Sequence, residues 1–106
     1  MITTHKLYFR NSKQMNEMAD GSIDLIVTSP PYPMIEMWDQ IFTSQNGKIG
    51  KALEEKDGPL AFELMHQELD KVWEELYRVL KQGVIACINI GDATRTINSH
   101  FALYTN

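Results

Sequence analysis

Apolar residues along the chain fall into two kinds of pattern. At Ile23–Thr28 (IDLIVT) and Val84–Ile90 (VIACINI) they run almost without a break and are rich in β-branched side chains. Such runs predict strands buried on both faces, as in a parallel sheet. Between them, Phe62, Met65, Leu69, Val72, Trp73, Leu76 and Leu80 recur at helical spacing and trace one stripe over about five turns. Asp57 or Gly58 caps this predicted helix and Pro59 suits its first position. Arg78 and Lys81 lie at the negative end of its dipole, and Gly83 stops it.

Weaker patterns fill the rest. His5–Phe9 (HKLYF) reads as a short strand, and Ser12–Asp20 as a helical turn with Met15 and Met18 on one side. Ile35, Trp38, Ile41 and Phe42 fit a short amphipathic helix. Residues 43–58 are polar, with three glycines and several charges, and read as a flexible surface loop with at most one helical turn. The order strand, helix, strand implies a right-handed parallel crossover. The expected fold class is therefore α/β: a partial, doubly wound (Rossmann-like) parallel sheet of about three strands with flanking helices. Residues 1–106 form one domain, and three strands make only part of such a sheet. The expectation is a fragment, a truncated product, or a chain completed by a partner, either a second copy or a complementing polypeptide.

Composition narrows the function classes. The net charge of −4 lacks the basic excess of a stand-alone nucleic-acid binder, although an enzyme can touch DNA through one local face. The single cysteine, Cys87, sits inside an apolar run and reads as a small core residue in a reducing compartment. No signal-like or membrane-length segment stands out, so the expected location is cytoplasmic and no membrane partner is expected. His5, His66 and His100 show no metal-ligand spacing with Cys or Asp, and His66 reads as a boundary residue of the long helix. Trp38 and Trp73 read as core. Glu68, Asp70, Glu74 and Glu75 read as a solvated face, with Asp70 and Glu74 pairing with Lys71 and Arg78. Lys48, Lys51 and Lys56 are offset by Glu54, Glu55 and Asp57, which cancels most of their attraction for DNA.

The chemistry concentrates where the first strand ends, in Thr28-Ser29-Pro30-Pro31-Tyr32. Ligands of open α/β sheets bind outside the carboxyl ends of the strands. Two prolines fix φ, supply no N–H, and hold their carbonyl groups in set directions. The Ser29 hydroxyl and the Pro30 carbonyl form a pair of acceptors suited to a planar amino group. Accepting both its hydrogens draws the nitrogen toward tetrahedral geometry and frees its lone pair for attack. Tyr32 offers a face on which a base can stack. A rigid turn and a polyproline-like segment offered to a partner stand beside this reading. Asp92 and Arg95, after the second strand, are candidates for contact with a base or phosphate, against a helix cap and a solvated arginine.

The chain resembles the amino-methyltransferases that modify cytosine or adenine in DNA. RNSKQMNEMADGSIDLIVTSPPY is similar to their lead-in and catalytic motif, and VWEELYRVLKQGVIACINIGDATR to the helix and strand that follow. The resemblance covers about Tyr8 to Arg95, leaving 43–58 unplaced. It implies that Ser29 and the Pro30 carbonyl accept hydrogen bonds from the target amino group. It also implies that Pro31 shapes the loop and Tyr32 stacks on a flipped base. The implied methyl donor is S-adenosylmethionine. Asn11 stands where the family often has an acidic residue near that cofactor. The opening serine is commoner among enzymes that act on the cytosine amino group. The family's glycine-rich cofactor loop is absent from this chain, which implies that the chain alone is inactive or nearly so. Alternatives are an RNA or protein-glutamine amino-methyltransferase, or a non-catalytic remnant that pairs with another chain.

Overall fold

A computed structural model describes residues 1–91, 94–96 and 103–105. Strand β1 (Ile23–Thr28) pairs in parallel with β2 (Leu80–Ile88), with Leu25 opposite Ile85, Val27 opposite Cys87 and Thr28 opposite Ile88. Three helices connect them: α1 (Asp39–Gln45), α2 (Gly47–Glu54) and the long α3 (Gly58–Val79). A single 3-10 turn at Glu36–Trp38 leads into α1. Strands β3 (Thr94–Thr96) and β4 (Leu103–Thr105) form a separate antiparallel ribbon, with Arg95 opposite Tyr104. The class is mixed α/β. The parallel sheet has two strands among the described residues, where about three were expected.

The long helix obeys its sequence signals. The Asp57 side chain accepts a hydrogen bond from the Leu60 N–H at 3.2 Å, and Pro59 occupies the first turn, where its missing N–H costs nothing. Its stripe is broader than the one read from spacing: Leu64, Glu68 and Val79 are buried alongside Met65, Leu69 and Leu76. The helix also ends earlier. Leu80 is already extended, so β2 starts at Leu80 rather than Val84 and stops at Ile88 rather than Ile90. The ladder shifts between Ile23–Leu80 and Leu25–Ile85, and Gly83, at φ +82°, sits in the extra length. Only glycine takes that conformation cheaply, so Gly83 marks an irregularity inside the strand and not the helix stop.

Residues 43–58 are a second correction. Asn46 caps α2 by accepting from the Lys48 N–H at 3.0 Å, and Ile49 and Ala52 are fully buried. A Cβ on Gly50 would lie 2.7 Å from Thr43 Cγ2, so the glycine serves the close packing of α2 on α1. The expected strand at His5–Phe9 carries no strand pairing, and Ser12–Asp20 forms turns without a helix.

The core lies among the helices. Met34, Phe42, Ile49, Leu64, Met65 and Leu69 form it, with Trp38 and Trp73 packed against its edge as expected. The sheet, by contrast, is not buried on both faces. Leu25, Val27 and Ile85 are 56%, 75% and 68% exposed, and Cys87 beside them is exposed as well. Cys87 is thus not a core residue, because no described element packs on the face it shares with Val27. Among the described residues no helix is long and apolar enough to cross a membrane.

Candidate functional site

Because β1 and β2 are parallel, both chain segments that leave their carboxyl ends emerge at the same edge. The Asn89 N–H closes this edge by donating to the Thr28 carbonyl at 2.9 Å. Ser29 through Tyr32 leaves β1 here, and Asn89 through Gly91 leaves β2. Ser29 is exposed, Pro30 is buried, and Pro31 and Tyr32 are half-buried. Two prolines in sequence stiffen this exit, and the Ile35 N–H then donates back to the Tyr32 carbonyl at 3.3 Å. Met34 follows at φ +66°, an unusual conformation for a side chain with a Cβ. It is held by burial and by a contact of its N–H with Met65 Sδ at 3.4 Å.

The Tyr32 hydroxyl donates to the Asn89 carbonyl at 3.2 Å and lies 3.3 Å from Ser29 Oγ. Its ring passes so close to Gly91 that a Cβ there would stand 3.0 Å from Tyr32 Cε2. The two strand ends are therefore joined through one aromatic side chain. Sequence reading places the loop that starts at Gly91 in one crevice with Ser29 to Tyr32, and Gly91 does lie against Tyr32; it missed Asn89, which falls inside the apolar run of the second strand.

A cavity of about 290 Å³ opens beside this loop, lined by Asn11, Ser12, Ser29, Pro30, Pro31 and Trp73 among others. Asn11 is thus brought to the catalytic-motif candidates although 18 residues separate it from Ser29 in the chain. Its side-chain oxygen accepts from the Lys13 N–H at 3.0 Å. A wider, charged cleft of about 910 Å³ continues from Asn11 along Lys13, Lys71, Glu75 and Arg78.

Helix α3 holds the Asn11 wall in place through ion pairs. Glu68, 3% exposed, accepts from Lys13 and from Lys71, the latter at 2.9 and 3.0 Å. Burial alone would raise the Glu68 carboxyl, but hydrogen bonds from the two ammonium groups outweigh it and the group is lowered from its ordinary value. Further along the same helix, Arg78 donates to the Met15 and Met18 carbonyls, both at 2.9 Å, to Asp20 at 2.7 Å and to Glu75 at 2.8 Å. Glu75 in turn accepts from the Met15 N–H at 2.6 Å. The Arg78 hydrogen bond first, and the Met15 N–H second, pull the Glu75 carboxyl down to about 2. Arg78 is raised correspondingly by Glu75 and Asp20. These contacts revise the expected pairing on α3: Glu68 and Glu75 take Lys71 and Arg78, in place of Asp70 and Glu74. The reason is geometric, because the i, i+3 carboxylates face the N-terminal segment and gain a second cationic or N–H partner there.

Arg95 does not stand free in solvent. Its guanidinium grips Asp39 in a bidentate pair at 2.8 and 3.0 Å, tying β3 to the first turn of α1. Asp92, with its expected base contact or cap, and His100 lie outside the described residues. His66 lies against Phe62 with ring centroids 4.4 Å apart and ring planes tilted by 50°, and its Nε2 is buried without a partner among the described residues.

Comparison with known proteins bears on the whole of this arrangement. The profile of a DNA methylase family matches residues 23–106. The chain is 55% identical over 107 residues to the type II methyltransferase M.MthZI of Methanothermobacter thermautotrophicus. It is 52% identical over 117 residues to the type II methyltransferase M.MjaI of Methanocaldococcus jannaschii. Both alignments take in all of this chain, which spans 30% of the first relative and 39% of the second. No solved structure matches it. A family match over most of the chain, taking in the strand, proline loop and second strand that build the site, shows that the chain belongs to the DNA methylase family.

Proposed function

We propose that this chain is the catalytic-motif portion of a site-specific DNA amino-methyltransferase. It directs a methyl group from S-adenosylmethionine to the exocyclic amino group of a flipped base, and the preferred base is cytosine. The observation that carries the reading is the meeting of Ser29, Pro30 and Pro31 with Asn11 around one cavity at the shared carboxyl edge of β1 and β2, with the Tyr32 hydroxyl 3.3 Å from Ser29 Oγ.

Ser29 Oγ and the Pro30 carbonyl accept the two amino hydrogens, which concentrates the nitrogen lone pair opposite them. Tyr32 stacks on the base that has left the duplex. S-adenosylmethionine, when bound, supplies an electrophilic methyl on its sulfonium. The mixed lining of the cavity, polar at Asn11 and Ser12 and apolar at Trp73, suits such a donor, and Asn11 and Ser12 are the residues that would hold it. The chain carries no glycine-rich cofactor loop. We therefore infer that these 106 residues alone give little or no turnover. Calorimetry offers a direct check, because robust binding of S-adenosylmethionine to the 106-residue chain sinks this inference.

The function is tested by grafting this chain onto M.MthZI in place of the 107 residues that align with it. The graft should transfer tritiated methyl groups to cytosine in duplex DNA, identified by nucleoside chromatography. In the graft, Ser29→Ala should lower turnover far more than DNA affinity. Equal losses in both remove the acceptor role, and label found only in adenine removes the cytosine preference. A second reading, a non-catalytic subunit, is favoured by the bare sheet face at Leu25, Val27 and Ile85. An active graft argues against it.

A further inference from the structure

The hydrogen-bond direction through Tyr32 is fixed by chemistry. A backbone carbonyl can only accept, so the Tyr32 hydroxyl proton points to the Asn89 oxygen across 3.2 Å. A phenol has one proton. The 3.3 Å contact with Ser29 is therefore made by the Ser29 hydroxyl donating to the Tyr32 oxygen. Ser29 then has no hydrogen left to offer the cavity, and both lone pairs of Oγ remain.

We propose that the Asn89 carbonyl and the Tyr32 hydroxyl polarise Ser29 as an acceptor only, and that this makes the site select a base carrying an amino group over one carrying a carbonyl. The proposal rests on the amino-acceptor reading of Ser29 given above and adds the device that enforces it. A free serine hydroxyl can rotate and donate to a carbonyl as readily as it accepts from an amine. With its proton committed to Tyr32, it meets a carbonyl oxygen lone pair to lone pair. Cytosine is then accepted and uracil rejected at the same ring position, although both present the same flat face for stacking. Both contacts are long for O–H···O bonds, so the relay sets a direction and supplies little binding energy of its own.

Gly91 completes the device. With hydrogen in place of a methyl group, it lets the Tyr32 ring lie close to the end of β2, which brings the hydroxyl within reach of Asn89. A Cβ 3.0 Å from Tyr32 Cε2 would push the ring away from the strand end. Tyr32 and Asn89 are thus positioning groups for Ser29, beyond the stacking role of the ring.

The experiment is a titration of the isotopically labelled 106-residue chain with deoxycytidine and with deoxyuridine, followed by the amide signals of Ser29 and Tyr32. The wild-type chain should bind deoxycytidine about fivefold more tightly, the equivalent of one neutral hydrogen bond. Tyr32→Phe keeps the stacking face and removes the hydroxyl. It should bring the two nucleosides within about twofold of each other, the deoxyuridine affinity rising or holding, because the freed serine proton can now serve a carbonyl. A Tyr32→Phe chain that retains the full deoxycytidine preference overturns the relay while leaving the acceptor reading intact. A wild-type chain without any preference overturns both. Gly91→Ala is the second variant. It should shrink the preference as well as weaken both nucleosides, and an unchanged preference removes Gly91 from the device.

Discussion

Arg95 and Asp39 form a fork-to-fork ion pair, with Nη1 to Oδ1 at 2.8 Å and Nη2 to Oδ2 at 3.0 Å, across 56 residues of chain. Both side chains are mostly covered, at 23% and 20% exposure. The pair fastens the short β3 segment, which has one strand neighbour among the described residues, to the N-terminal turn of α1, where a carboxylate also complements the helix dipole. Arg95 is the residue that sequence reading offered to DNA, and in the folded chain its charge is matched by Asp39.

The pairing predicts that Arg95→Ala costs stability more than it costs DNA affinity. Loss of a bidentate, partly covered pair should remove about 1 kcal/mol, at the upper end for surface pairs. A double-mutant cycle of Arg95→Ala with Asp39→Ala, read by urea denaturation, should recover a coupling of similar size. The grafted enzyme supplies the other arm. If Arg95→Ala lowers its DNA affinity about tenfold or more with no change in unfolding midpoint, the residue binds phosphate after all.

How much of this was legible beforehand depends on the range over which each signal acts. Helix α3 was readable because its stripe, the Asp57 cap and Pro59 are all local. Strand β1 was readable from its β-branched run, but its burial was not, because whether a face is covered depends on what packs there. Helix α2 was missed although Asn46 followed by Ile49, Ala52 and Leu53 is a cap and an amphipathic repeat; its glycines and charges masked it. At the site, the loop from Ser29 to Tyr32 announced itself through two prolines. The clamp of Glu68, Glu75 and Arg78 on residues 13–20 could not be read, since it joins groups about 60 residues apart on faces that only the fold brings together.

That clamp predicts a pH dependence. Glu75 is held at about 2 against an ordinary value of 4.5, so the folded state keeps it ionised where the unfolded chain would protonate it. Its contribution is complete above pH 4.5 and is lost as the pH falls from there toward 2. Glu75→Gln should therefore be less stable than wild type at neutral pH, and the two should converge at the acid end of that window. Urea midpoints taken across it decide the matter, since parallel curves for the two chains exclude the clamp as the source.

Met65 is fully buried beneath the proline loop and provides the sulfur that Met34 N–H faces. Met65→Ala should cost about 2–5 kcal/mol through lost burial and the cavity left behind. Met65→Leu conserves volume but leaves the Met34 N–H without its sulfur partner, at a position already strained by its positive φ. It should cost about 1–2 kcal/mol, more than most such swaps. Thermal melts rank the two, and a Leu variant as stable as wild type would show that the N–H contact carries no weight.

The bare sheet face gives the last prediction. Leu25 lies opposite Ile85 and Val27 opposite Cys87, so these four side chains share one surface, and no described element covers it. Apolar area already in water contributes little to folding, so Val27→Thr and Ile85→Thr should each change stability by no more than about 0.5 kcal/mol. Thr keeps the branching that a strand favours, which leaves β1 and β2 intact. The same substitutions should reduce self-association in sedimentation velocity and lower the binding of a hydrophobic dye, because the apolar patch drives both. A drop in unfolding midpoint worth 1.5–3 kcal/mol, about that of a buried aliphatic side chain, would mean instead that the face is covered in the folded chain.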